Sequence, residues 1–215
     1  MKTRNLVHYF LKTAFIGAIA GLVISFFVQA EVYMANLSPL HFMEIVGLIV
    51  FNLGLGLTFS VVSMTGFFAY LFIHRFGLNL FRSFWPTVQI LLIAFVLFDL
   101  VYFPYQATKG EVSAFWYVLM ALGLFAYAWF VAKMKVKLTN KKAFIPALFV
   151  MVVITTVEWV PGLQVEGTDY ALLMIFPLLA CNTYQLLALQ NVTAGSKEKV
   201  DTKVESVISN KKKKR

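Results

Sequence analysis

The sequence predicts an all-α integral membrane protein, a bundle of six transmembrane helices with both termini in the cytoplasm. Hydrophobic residues make up 60% of the 215 residues and charged residues only 13%, whereas soluble globular chains are about 25% charged. Six apolar segments are long enough to cross a hydrocarbon layer about 30 Å thick. Lysine and arginine are almost confined to alternate connecting segments. Together these observations indicate a chain that crosses a membrane repeatedly.

Each of the six predicted spans has close to about 20 mostly apolar residues or more, which is the length needed to cross the membrane. They are residues 13–29, 45–73, 86–105, 112–132, 143–159 and 170–189. The second is too long for one straight span, and Pro39 suits a helix start. Residues 39–50 are therefore expected to lie along the interface before the chain crosses. Residues 190–215 form a basic cytoplasmic tail.

The distribution of positive charge predicts the orientation. If the N-terminus is cytoplasmic, all of the 19 lysines and arginines except Lys109 lie on the cytoplasmic side. Positive residues near the ends of spans are retained on that side of the membrane. An extra or missing span would destroy this separation, so the same pattern supports the number of spans.

The first 30 residues allow one alternative. A basic start, an apolar stretch and Val28-Gln29-Ala30 are typical of a cleaved signal peptide, and cleavage would leave five spans. However, the basic region extends to Lys12, and Gly17 and Gly21 form a small-residue face suited to helix packing. We therefore favour an uncleaved first span, and we expect Gly54 and Gly56 of the second span to provide similar close-packing positions.

Acidic residues within the apolar segments are candidate functional groups. Asp99 and Glu158 are predicted about 20 Å into spans three and five, in the outer third of the membrane. With Asn52 they would line an outward-facing polar pocket for a cation or a signal. In the alternative interpretation, Asp99 is a helix-docking contact that accepts a hydrogen bond from Tyr102, Tyr105 or Asn182. Glu158 would then simply reach the lipid headgroups, because Trp159-Val160-Pro161-Gly162 marks a turn.

Basic residues on the cytoplasmic side predict a contact surface. The candidates are His74, Arg75 and Arg82 in the second connection and Lys133, Lys135 and Lys137 in the next cytoplasmic segment. One interpretation is that they contact anionic lipid of the inner leaflet and set the topology. The other is that they contact a protein partner. Nucleic acid is not an expected partner, because these charges lie between spans and form no face of a soluble module.

Residue patterns of the common enzyme classes are missing from the sequence. The single cysteine, Cys181, excludes an internal disulfide and a cysteine-based metal cluster. His8, His41 and His74 are predicted at three separate membrane boundaries. The sequence contains no HExxH, nucleophile elbow or phosphate-binding glycine loop. We predict a protein that is not an enzyme and that has no catalytic residues, cofactor or metal.

Two adjacent segments and the opening resemble a known family. They are FSVVSMTGFFAYLFIHRFGLNLFRS, WPTVQILLIAFVLFDLVYF and MKTRNLVHYFLKTAFIGA. They resemble the KinB-signalling-pathway activation family (KbaA) of spore-forming bacilli, and the similarity is best over spans one to three. The resemblance implies a multi-spanning protein of the bacterial plasma membrane that acts positively on a membrane sensor histidine kinase, KinB, and so promotes entry into sporulation. It brings no catalytic residues.

Two functions remain open at this point. The first is a regulatory membrane protein whose spans pack against those of a sensor histidine kinase and bias its equilibrium. Its candidate contact faces are on spans one and two, which are rich in small residues at Gly17, Gly21, Gly54, Gly56 and Gly66. The second is a small-solute binding or transport subunit with the outward-facing polar pocket. The sequence shows no internal repeat of the kind found in many transporters, which favours the first.

Overall fold

A computed structural model describes residues 3–37, 40–109, 112–165 and 169–190. The described residues are helical or lie in short turns, and none of them forms a strand, so the prediction of an all-helical protein is confirmed. The helices are α1 Thr3–Val28, α2 Ala30–Leu37, α3 Phe42–Phe81, α4 Trp85–Ala107, α5 Ala114–Leu138, α6 Phe144–Phe149, α7 Thr155–Gln164 and α8 Asp169–Gln190. The predicted tail after residue 190 and the predicted helix start at Pro39 lie outside the described residues.

A π-helical segment, Val150–Ile154, joins α6 to α7 without a break. The resulting helical stretch continues past Pro161 to Gln164. The turn predicted at Trp159 is therefore wrong. A proline near the end of a helix removes a hydrogen bond without necessarily ending the helix. As a consequence Glu158 lies within a helix, more than one turn from its end.

The segment Phe42–Ala107 is apolar over 66 residues, but it comprises two helices. Arg82 adopts a positive φ of 48° and ends α3. A 3₁₀ turn, Arg82–Phe84, then leads into α4. The Trp85 Nε1 atom donates a hydrogen bond to Nδ1 of His74 at 2.9 Å, and its ring lies against Gly77. The chain therefore turns back on itself at Arg82.

Helices α1 and α3 approach closely at glycine positions. A Cβ added to Gly21 would lie 2.8 Å from the Cα of Gly56, and one added to Gly17 would lie 2.9 Å from the Gly56 carbonyl oxygen. Since backbone atoms cannot move aside cheaply, these positions require glycine. The expected close packing at Gly17, Gly21 and Gly56 is present, and it joins two helices of the same chain. The same expectation for Gly54 is wrong, because a Cβ added there would meet nothing within 4 Å.

The core surrounds the π-helical segment. Val150, Met151 and Val152 are fully buried, and they belong to a cluster with Phe67 of α3 and Ala128 of α5. A second cluster includes Phe59 of α3, Leu100 of α4, Trp159 of α7 and Leu178 of α8. The Trp159 Nε1 atom donates to the Ala171 carbonyl at 2.8 Å, which fixes α7 to α8.

Contacts between helix ends show that the basic residues share one end of the bundle. Tyr9 near the start of α1 donates to the Gln185 carbonyl near the end of α8 at 3.0 Å. Lys135 near the end of α5 donates to the Leu186 carbonyl at 2.7 Å. Tyr70 of α3 donates to the Pro146 carbonyl at the start of α6 at 3.3 Å. The segments carrying the basic residues predicted to be cytoplasmic therefore lie together as far as the structure describes them.

Candidate functional site: a buried polar network

A network of five buried polar side chains connects α3, α7 and α8. The Asn182 Nδ2 atom donates to Oε2 of Glu158 at 2.6 Å and to Oγ1 of Thr155 at 3.0 Å. The Ser63 hydroxyl donates to Oδ1 of Asn182 at 2.8 Å. It also accepts from Nε2 of Gln185 at 2.6 Å. Asn182 therefore connects all three helices through its amide group.

Residue spacing explains why these side chains meet. Thr155 and Glu158 are three residues apart, as are Asn182 and Gln185, so each pair lies on one helix face. Polar residues in apolar helices turn toward the interior of a bundle, where they find partners. The π-helical segment immediately precedes Thr155, whose hydroxyl donates to the Val150 carbonyl at 3.3 Å. Such segments are rare and occur frequently at functional sites.

Glu158 fits into a space that Gly66 leaves on α3. A Cβ added to Gly66 would collide with Oε1 of Glu158 and lie 2.8 Å from its carboxyl carbon. Only 6% of the Glu158 surface is exposed. Its Oε1 atom is buried and accepts no hydrogen bond from the described residues, and neither does Oε1 of Gln185. A buried acceptor without a donor costs about 1–3 kcal/mol, so the network is not fully satisfied in this conformation.

The structure does not bring Asn52, Asp99 and Glu158 to one place. Asn52 is buried beside α1, and its Nδ2 atom donates a hydrogen bond to Oε1 of Gln29 at 2.9 Å. It precedes Gly66 by 14 residues, or about 21 Å along α3, whereas Glu158 lies against Gly66 itself. The single pocket expected from these three residues is therefore not assembled.

Asp99 lies in a separate groove between α4 and α7, with a cavity volume of about 660 Å³. Its lining is mostly apolar and includes Phe103, Val157 and Val160, with Thr156 and Gln164 as polar members. Asp99 is half-buried, and its carboxyl group makes no hydrogen bond or ion pair with the described residues. The Thr156 hydroxyl is buried and also lacks a partner in that part of the chain.

Two sequence-based expectations about the acids need correction. Asn182 was considered a donor to Asp99, but it donates to Glu158 instead. Glu158 was expected to reach the headgroups, but it is enclosed by α3 and α8. The missed members of the network are Ser63, Thr155 and Gln185. The signal that could have found Thr155 and Gln185 is their spacing of three residues from Glu158 in α7 and from Asn182 in α8.

Only some of the basic residues predicted to form a contact surface are exposed. Arg75, Arg82, Lys133 and Lys137 are exposed. Lys135 is buried, with 8% exposure, and its ammonium group caps a carbonyl near the end of α8. His74 is half-buried, and its Nδ1 atom accepts the hydrogen bond from Trp85. His74 and Lys135 are thus occupied by contacts within the chain.

Metal-binding groups are not assembled in the described part of the chain, where no three histidine, cysteine or acidic side chains converge. Cys181 is buried, and its Sγ atom lies 3.7 Å from the Ser60 hydroxyl oxygen. The chemistry available in the network is therefore that of hydrogen-bond donors and acceptors held between helices.

These features define a class of protein: a bundle of long apolar helices with a buried polar network and a charged end. Comparison with known proteins then gives the family. Residues 17–192 match the family model for KinB-signalling pathway activation in sporulation, KbaA. The chain is 37% identical over 198 residues to the KinB-signaling pathway activation protein of Bacillus subtilis (strain 168), covering 90% of this chain and all of that protein. The chain belongs to this family, which confirms the resemblance found in the sequence. No solved structure matches it.

Proposed function

We propose that this chain is a six-span plasma-membrane protein, with both termini cytoplasmic, that activates a membrane sensor histidine kinase of the KinB type without catalysing a reaction. The observation that carries the proposal is the relative named as a KinB-signaling pathway activation protein, which matches 90% of this chain. The match extends across both the network and the Asp99 groove. Features in both places are therefore candidates for the shared activity.

Membrane insertion is supported by helix length and by outward-facing side chains. Within the described residues, five helical segments are long and apolar enough to cross a membrane. The longest contains the reversal at Arg82, and its division there into α3 and α4 supports the proposed six spans. Leu91 and Phe95 of α4 and Phe130 of α5 are each at least 60% exposed, as expected for side chains in contact with lipid. The shared basic end supports a cytoplasmic location for both termini.

Activation without catalysis requires contact that differs between two states of the kinase. A bound protein shifts a conformational equilibrium only to the extent that it binds one state more tightly. We propose that the Asp99 groove receives a transmembrane helix of the kinase and that a hydrogen-bond donor on that helix meets the Asp99 carboxylate. Ionisable residues at membrane depth are costly to leave unpaired and usually mark functional contacts.

The cytoplasmic end provides a second contact in this proposal. Arg75 and Arg82 are exposed beside the turn between α3 and α4, and Lys133 and Lys137 are exposed at the end of α5. The glycines Gly17, Gly21, Gly56 and Gly66, by contrast, are occupied by contacts within the chain. Of the glycines first considered for kinase contact, Gly54 has open space around it. The contact surface is therefore assigned to the groove and the arginines.

The test is reconstitution of a KinB-type sensor kinase in phospholipid vesicles with and without this chain. The rate of ATP-dependent autophosphorylation is expected to rise when the chain is present. Arg75→Ala combined with Arg82→Ala should reduce that gain, whereas Lys109→Ala at the opposite end should not. Equal rates with and without the unsubstituted chain, at verified insertion of both proteins, would contradict the proposal.

The volume and lining of the Asp99 groove favour a second candidate function. Its volume of about 660 Å³ falls within the range of small-molecule sites, about 300–1,000 Å³, and Asp99 would orient a solute. In this interpretation the chain is a small-solute binding or transport subunit. Mass spectrometry of the purified protein distinguishes the two functions. A stoichiometric small molecule supports the second, and a co-purified histidine kinase supports the first.

A further inference from the structure

Two adjoining grooves lie between α1 and α8 at the basic end of the bundle. The first has a volume of about 410 Å³ and is lined by Arg4, Asn5, His8, Tyr9, Lys12, Tyr184 and Ala188. The second has a volume of about 260 Å³, is almost wholly apolar, and is lined by His8, Leu11, Lys12, Phe15, Ile16 and Tyr184. His8, Lys12 and Tyr184 belong to both, so the grooves are continuous.

The positions of the cations Arg4 and Lys12, and of His8 between them, follow from helical spacing. Arg4, His8 and Lys12 are successive members of a four-residue repeat and share one face of α1. All three are exposed, and about 12 Å of helix separates Arg4 from Lys12. The His8 Nδ1 atom donates to the Arg4 carbonyl at 2.9 Å, which leaves Nε2 as the free ring nitrogen. Neither groove is lined by any acidic residue that the structure describes.

The apolar groove continues in the direction of the membrane centre. Along α1, the cationic positions come first, and Phe15 and Ile16 follow within one turn of Lys12. Phe15 is 67% exposed and Leu11 is 64% exposed, so both present apolar surface beside the cations. The order of groups along the helix is therefore cation first and hydrocarbon second.

We infer that this double groove is a binding site for an anionic phospholipid, with the phosphate between Arg4 and Lys12 and an acyl chain along Leu11, Phe15 and Ile16. A phospholipid has the same order of groups, a charged headgroup followed by hydrocarbon. Basic pockets at the cytoplasmic ends of membrane helices are suited to anionic headgroups. A free phosphate ion would use only the first groove, and the second groove is the reason for assigning a lipid.

The site has a structural consequence for the bundle. Tyr9 is buried, donates to the Gln185 carbonyl, and its ring lies 5.9 Å from that of Tyr184. Gln185 is also the member of the buried network that donates to Ser63. A lipid seated against Tyr184 therefore contacts the segment of α8 that anchors the network. The inference rests on the proposed membrane insertion with this end at the inner leaflet, but not on kinase activation.

The test uses the full chain, purified in a neutral detergent and depleted of lipid. Native mass spectrometry measures adducts during titration with dioleoylphosphatidylglycerol, dioleoylphosphatidylcholine or inorganic phosphate. We expect one high-affinity phosphatidylglycerol, at least tenfold weaker phosphatidylcholine binding, and no comparable binding of phosphate. Arg4→Gln with Lys12→Gln should weaken phosphatidylglycerol binding about thirtyfold, since each cation near an anionic headgroup contributes about fivefold.

The matched control is Lys141→Gln with Lys142→Gln, which removes two exposed cations from the turn Lys141–Ala143 at the same end of the bundle. This pair should leave the affinity unchanged. An equal loss in both pairs would show that only the overall charge matters and would overturn the site. Equal binding of the two lipids would overturn the role of the cations, and tight binding of phosphate alone would overturn the role of the apolar groove.

The comparison of lipids with the unsubstituted chain decides the inference even if a variant does not yield folded protein. Kinase activation is measured separately, in the vesicle assay. Loss of lipid selectivity with intact activation would refute the lipid site alone. Intact selectivity without activation would refute the proposed function alone.

Discussion

Glu158 of α7 and Gly66 of α3 have complementary shapes: the carboxyl group of one fills the space left by the missing side chain of the other. The Glu158 Oε2 atom accepts a hydrogen bond from Asn182 at 2.6 Å, and so the same carboxyl group contacts α8 as well. Since α7 begins directly after the π-helical segment, a shift of that segment would move Glu158 relative to both neighbouring helices. The polar network thus joins three helices at one point.

Gly66→Ala is expected to destabilise the protein by about 1–3 kcal/mol. The added methyl group would collide with Oε1 of Glu158 and push the carboxyl group away from Asn182, which loses a buried hydrogen bond and introduces strain. Thermal or denaturant unfolding in detergent measures the effect. Protein that unfolds as the unsubstituted chain does would show that the carboxyl group moves aside freely.

The cause can be isolated by combining Gly66→Ala with Glu158→Ala. If the collision with the carboxyl group is responsible, the double variant will be more stable than the sum of the single effects predicts, by 0.5 kcal/mol or more. Additive effects would place the cost of Gly66→Ala elsewhere on α3.

Gly56→Ala should be more damaging than Gly54→Ala, although the two positions are two residues apart on α3. A Cβ at Gly56 would lie 2.9 Å from the Cα of Ala18 on α1, whereas a Cβ at Gly54 meets nothing within 4 Å. We expect a loss of at least 2 kcal/mol in the first variant. The second should be neutral or slightly stabilising, because alanine favours helix. Unfolding of both variants under one set of conditions provides the comparison, and similar stabilities would contradict the close packing of α1 and α3.

Asn182→Leu should cost about 2 kcal/mol, because the substitution removes hydrogen bonds to Ser63, Thr155 and Glu158. Hydrogen bonds between membrane helices average about 0.6 kcal/mol each. The neighbouring Thr183→Val is a matched control, since Thr183 contributes a hydrogen bond to Tyr127 outside the network. Its expected effect is below about 0.6 kcal/mol. Equal losses in the two variants would mean that the network contributes little to stability.

The helical architecture was predictable because it follows from apolar segments of spanning length, and such segments can be recognised directly in the sequence. The close packing of Gly17, Gly21 and Gly56 was also visible as small residues at helical spacing. The helix against which these glycines pack was not visible in the sequence. Whether a glycine face meets a helix of the same chain or a partner depends on how the helices are arranged, and local spacing does not encode that arrangement.

The candidate functional site was harder to predict, because the depth of each residue in the membrane was estimated from assumed ends of the spans. The sequence places Asp99 and Glu158 at similar depth and hence together, but they face different sides of α7: Asp99 lines the groove between α4 and α7, whereas Glu158 lies against α3 and α8. Helix rotation decides which side a residue faces, and the π-helical segment changes that rotation just before Thr155. Similarly, Lys135 was counted with Lys133 and Lys137 by its charge alone. Its position on the inner face of α5 makes it a structural contact to Leu186.

Asp99→Leu is expected to reduce activation of a KinB-type kinase in vesicles by up to about 17-fold, with normal insertion and stability. The substitution removes the acceptor that we propose for a donor on the kinase helix, and a hydrogen bond between membrane helices contributes at most about 1.7 kcal/mol. Asp99→Asn retains an acceptor oxygen and should cost less, about threefold. Phe98→Leu is the control, because Phe98 is 60% exposed beside Asp99 but does not line the groove. Equal damage from Asp99→Leu and Asp99→Asn would show that the charge itself is recognised. Full activation by both variants would remove the groove from the kinase contact.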